Sequence, residues 1–162
     1  MIVVSDTSPI SSLFLIQQQN LLPSIFGQVI IPNHVFSELM ILETEFDYDL
    51  SELKSASWLE IRQVQDQKTV TRLKKVLDDG ESEAIALAKE IGADYLLIDE
   101  HEGRQIAIDE GLRIIGVLGV LVQAKNHGLI DLVKPIMDDL RRVAKFRISE
   151  GLYEQVLKQI GE

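Results

Sequence analysis

Four acidic residues stand where an α/β chain can put them to use: Asp6 in "VVSDTSPI", Glu38 in "VFSEL", Glu81 in "GESEAIALA" and Asp99 in "YLLIDEHEGR". Carboxylates gathered without a neighbouring Lys or Arg repel one another and raise the cost of folding, so such a set is tolerable when cations neutralise it. All-oxygen ligation suits Mg2+ or Mn2+, and two such ions can activate water and stabilise the leaving oxygen of a phosphodiester.

The elements that would position these acids alternate strand and helix. "MIVVS", "QVIIP", "ADYLLID" and "LRIIGV" read as short strands apolar on both faces, and "WLEIRQV" as an edge strand. Helices are expected over "TSPISSLFLIQQ", capped by Thr7 or Ser8, after Pro32 with Asn33 as cap through about Leu42, and over "DDGESEAIALAKEIG" with Gly92 as its stop. Further helices are expected over "EGRQIAIDEG", "GVLVQAKNHG", "LIDLVKPIMDDLRRVAKF" with a bend near Pro135, and Ser149 to Ile160. Buried strands separated by helices imply a mostly parallel sheet covered on both faces, whose functional crevice lies at the carboxyl ends of the strands. Asp6 and Asp99 follow strands and open onto that edge. Glu38 leans toward the core side of its helix. Glu81 shares a stripe with Ala84, Ile85 and Ala88, whereas Glu83 is turned about 160° away.

Composition narrows the class. A chain of 162 residues, 46% hydrophobic and 26% charged, suits one domain over 1–162, with the helices from about 130 to 162 as an extension packed on it. It has no cysteine, so no disulfide framework or thiolate zinc site, which fits a reducing, cytoplasmic setting. Its start lacks a basic n-region and no apolar run approaches a membrane span. A net charge of −10 disfavours a surface that coats nucleic acid, so any such contact must be local. Arg141, Arg142, Lys145 and Arg147 are the best candidates for it, although such a cluster is usually a solvated helix face. His34, His101 and His127 lack the spacing of zinc ligands.

The stretches "VVSDTSPI", "QVIIPNHVFSEL", "GESEAIALAKEIGADYLLIDEHEGRQIA" and "GVLGVLVQAKNHGLI" together resemble PIN-domain proteins, specifically the branch described as VapC-like or DUF3368. The resemblance implies a three-layer α/β/α fold, divalent-metal-dependent cleavage of RNA with Mg2+ or Mn2+, and a toxin role restrained by a partner antitoxin. It also implies a homodimer. Asp6, Glu38, Glu81 and Asp99 match the family's acids, and Ser8 matches the small polar residue that helps position water there. Glu83 competes with Glu81 for one match, and Glu100 with Asp99 for another. The Thr or Ser that shortly precedes the last acid in the more familiar toxin pattern is missing from "LLIDE". An alternative is a catalytically silent PIN-fold binding or regulatory module. An aspartyl phosphotransferase is disfavoured, because "DTS" lacks a second acid two residues on.

Overall fold

The computed structural model describes residues 1–162. Five short strands, β1 (Val3–Ser5), β2 (Val29–Pro32), β3 (Leu59–Arg62), β4 (Tyr95–Leu97) and β5 (Ile114–Ile115), form one sheet in the order β3-β2-β1-β4-β5, every pair parallel. β1, β2 and β4 are the continuous apolar runs of the sequence. β1 and β2 are buried along their whole length. The weakly alternating "LEIR" of β3 lies at the sheet edge, where one face can meet water.

Ten helices complete the fold: α1 (Thr7–Leu15), α2 (Leu21–Phe26), α3 (Asn33–Thr44), α4 (Ser51–Lys54), α5 (Gln67–Leu73), α6 (Asp79–Glu90), α7 (His101–Asp109), α8 (Val117–Asn126), α9 (Lys134–Arg142) and α10 (Glu150–Ile160). They make a three-layer α/β/α arrangement. α6 lies across β1, β2 and β4, with α3 and α5 beside it, while α8 packs on α1, α2 and β5 and carries α10. Ala84, Ala86 and Ala88 are fully buried, and their small side chains let α6 approach its neighbours closely. One contiguous apolar cluster runs from Val3 in β1 to Leu157 in α10.

Three local expectations are corrected. α1 begins at Thr7 with Asp6 at its N-cap, and neither Thr7 nor Ser8 caps it, because the Thr7 hydroxyl is committed to Glu38. Asn33 is the first residue of α3 rather than its cap. Helix α9 starts at Lys134, with Pro135 inside its first turn, so proline begins this helix instead of bending one that starts at Leu129. Glu162 fixes that start, accepting the N–H groups of Val133 at 2.8 Å and Lys134 at 3.0 Å. No helix is long and apolar enough to cross a membrane.

Candidate functional site

Strand order reverses between β1 and β4, since the chain moves outward one way through β2 and β3 and the other way from β4 to β5. A crevice opens at the carboxyl ends of the strands at such a switch point. Ser5 pairs with Leu97, and the Asp6 N–H donates to the Leu97 carbonyl at 2.9 Å. The two strands therefore end level, handing the chain to Asp6 on one side and, just beyond Ile98, to Asp99 on the other.

Asp6 is 5% exposed. Burial pushes its carboxyl up to about 7; the Thr7 N–H opposes the shift, and the charges of Asp78, Glu38 and Asp99 add to it. Asp99 is pushed up to about 6, again chiefly by burial, against the pull of the Val117 N–H and the Arg104 guanidinium. The Val117 N–H donates to Asp99 Oδ1 at 2.9 Å, while Oδ2 is buried with no partner.

Glu81 comes from the first turn of α6 and points inward, 8% exposed, with Oε2 buried and unpartnered. Its N–H donates to Asp78 Oδ1 at 2.8 Å, which makes Asp78 the N-cap of α6. Burial raises the Glu81 carboxyl well above the usual range; a hydrogen bond with the Asp78 side chain and the charges of Asp78, Asp6 and Glu100 raise it further. Glu38 is half-buried and accepts the Thr7 hydroxyl. Its carboxylate oxygens lie 2.6 and 2.7 Å from where a Cβ on residue 80 would sit, and Glu81 Oε2 lies 2.6 Å from the same point on residue 103. Gly80 and Gly103 thus leave the space that two of the acids occupy.

The remaining candidates separate. Glu83 turns to α3, where it accepts the His34 N–H at 2.9 Å. Glu100 is exposed and, with Ser8, Ser12 and Asp99, lines a cavity of about 280 Å3. His34 bridges Asp79 and Glu83, and His101 and His127 are exposed. Two members of the cluster fall outside the set read from sequence. Arg104 donates to the Ile98 carbonyl at 2.9 Å and its charge draws on Asp99 without an ion pair, so the acids do have a nearby cation. Asp78 is the other, and the Asp-x-x-Glu spacing of a helix start was its signal in the sequence.

The DUF3368 family model, described as a PIN domain, matches residues 2–162. The chain belongs to this family. No curated protein matches it. In this PIN domain the donors are all carboxylate oxygens and two of them are orphaned by burial, which is chemistry that a hard divalent cation satisfies. The acids feel one another's charge, yet no three of them are arranged closely enough to hold a metal ion. The site suits such a cation in kind and is not preassembled around one.

Proposed function

We propose that this PIN domain hydrolyses RNA phosphodiesters at the acidic pocket in a divalent-metal-dependent reaction, as a VapC-like endoribonuclease of a toxin–antitoxin pair. The observation that carries this reading is the pair of buried, partnerless oxygens, Glu81 Oε2 and Asp99 Oδ2, beside the buried Asp6. Orphaned buried carboxylate oxygens are costly, and a ligand that claims them repays the cost. Asp6, Glu38, Glu81 and Asp99 are the residues that would hold Mg2+ or Mn2+, which would neutralise the acids and supply Lewis-acid polarisation of a phosphodiester.

The chain's own residues prepare that pocket. The Thr7 hydroxyl orients Glu38, the Val117 N–H fixes Asp99 Oδ1, and Asp78 accepts the Glu81 N–H and so fixes the helix turn that carries Glu81. Asp6, held near 7, exchanges its proton at neutral pH.

A second reading, a catalytically silent PIN-fold binding module, is favoured by the absence of any three-ligand group and is the simpler account of the pocket as it stands. Mapping cleavage ends on total RNA with purified protein, with and without Mn2+, separates the two. Metal-dependent ends that Asp6→Asn abolishes support the nuclease; identical RNA in all lanes supports the module. An antitoxin partner and a homodimer belong to the nuclease reading as expectations, checked by co-purification and by light scattering.

A further inference from the structure

Two cavities meet at Asp99. The smaller is the one lined by Ser8, Ser12 and Glu100, together with Ala144 and Lys145. The larger, about 440 Å3, is lined by Arg104, Gly116, Leu118, Gln123, Phe146 and Arg147. Asp99, Phe146 and Arg147 border both. The segment between α9 and α10 is therefore a partition standing over the last strand acid.

The four cations of this region divide sharply. Arg141 is engaged within the fold: it donates to the Ile148 carbonyl at 2.7 Å, stacks over the Tyr153 ring at 4.2 Å and pairs with Glu150. Arg142 pairs with Asp139 at 2.9 Å. Lys145 and Arg147 are exposed and form no ion pair, in a protein with ten more negative than positive charges. Lys145 also sits at φ +55°, a left-handed conformation uncommon for a residue with a Cβ. At this turn Phe146 is half-buried against the core while the cations on either side of it stay in water.

We propose that the larger cavity is a nucleotide subsite that seats one unstacked base of single-stranded RNA, with its phosphate, next to Asp99. The volume falls in the range of small-ligand sites. Phe146 supplies a ring for a base to stack on. The Gln123 amide offers both a donor and an acceptor to a base edge. Arg147 is free for phosphate, and Arg104 uses one N–H on the Ile98 carbonyl, leaving the rest of its fork. An acidic peptide would engage the cations without needing the ring and the amide, which is why RNA is the better fit. The proposal rests on the reading of the acidic pocket as an RNA site, and it assigns the side of that site on which a nucleotide is gripped.

The test is fluorescence anisotropy of labelled oligouridylate and oligoadenylate at low salt in chelator, so that binding is read without cleavage. Phe146→Ala and Arg147→Ala are expected to weaken binding about tenfold, and Arg147→Ala to lower the salt slope by about one. Phe146→Trp should bind at least as well as wild type. Gln123→Ala should change the preference between the two oligomers. Arg142→Ala, outside both cavities, should bind within about twofold of wild type. Should Phe146→Ala fail to fold, Phe146→Leu keeps the apolar bulk without the ring and is expected to show the same loss.

Wild-type affinity in Phe146→Leu overturns the subsite, and so does a wild type that binds poly-glutamate but no RNA. Assays with Mn2+ keep this apart from the hydrolase reading. Cleavage by wild type with an unchanged KM in Phe146→Leu refutes the subsite alone. Phe146-dependent binding without any cleavage supports the subsite and refutes the hydrolase.

Discussion

The Glu83 carboxylate accepts the His34 backbone N–H at 2.9 Å, closing the first turn of α3 from a neighbouring helix. Two residues earlier on α6, Glu81 points the opposite way and leaves Oε2 buried without a partner. The two acids share one motif and have different work. Glu83→Gln should lose a charge-assisted bond and about 1–2 kcal/mol of stability while leaving any response to Mn2+ intact. Glu81→Gln should melt close to wild type in chelator near neutral pH, since burial already holds the Glu81 carboxyl protonated and the amide is a neutral replacement, and it should gain less from Mn2+. Melting curves in chelator and in millimolar Mn2+ decide; the reverse ranking would make Glu83 the pocket acid.

Raised carboxyls set a pH dependence. Asp6 at about 7 and Asp99 at about 6 both lie above the ordinary value of 3.8, so over that interval the folded protein holds protons that the unfolded chain has released. The stability they contribute is fully present below about pH 4 and is lost as pH rises through about 6 and then about 7. In chelator, the melting temperature should therefore fall as pH rises from about 4 to 7 through these two groups, and the raised Glu81 carboxyl carries the fall further. Asp6→Asn should flatten the upper part of that slope. A melting temperature that rises across the interval, or an unchanged slope in Asp6→Asn, would show that Asp6 is not held protonated by burial.

Two glycines give a steric test. A Cβ on residue 103 would stand 2.6 Å from Glu81 Oε2 and 2.8 Å from Ile98 Cδ1, both in packed surroundings, so Gly103→Ala should cost about 1–3 kcal/mol. The nearest atoms to a Cβ on residue 80 would be those of the Glu38 carboxylate, the far end of a half-buried chain that can swing away. Gly80→Ala should fold nearly as stably as wild type with Glu38 displaced. Urea unfolding of the two variants reads the difference, and equal stabilities would contradict the packing described.

The parts legible in the sequence are those governed by local pattern. "VVS", "VIIP" and "YLL" announce strands because a parallel sheet buries both of their faces, and Asp6 and Asp99 follow from where those runs end. The phase of α6 likewise separates Glu81 from Glu83 through helix geometry. Helix α2 gives little signal, being six residues long with Pro23 among them. Asp78 joins the cluster only because α6 is laid over β1 and β4. Nothing in the order Arg141, Arg142, Lys145, Arg147 tells which cations are consumed by Tyr153, Glu150 and Asp139 and which stand free over Asp99, since that depends on how α10 folds back.

The central claim is that the acidic pocket takes a divalent cation, and titration calorimetry with Mn2+ in two buffers of different protonation enthalpy tests it most directly. Binding to Asp6 and Glu81, whose carboxyls burial holds partly or wholly protonated, must displace protons, so near neutral pH wild type is expected to give saturable heat with proton release. Asp6→Asn and Asp99→Asn should lose both the binding and the release, while Glu83→Gln should keep them. Absence of saturable heat in wild type, or the same heat and proton count in Asp6→Asn and Asp99→Asn, would contradict the account and leave the pocket to the silent module.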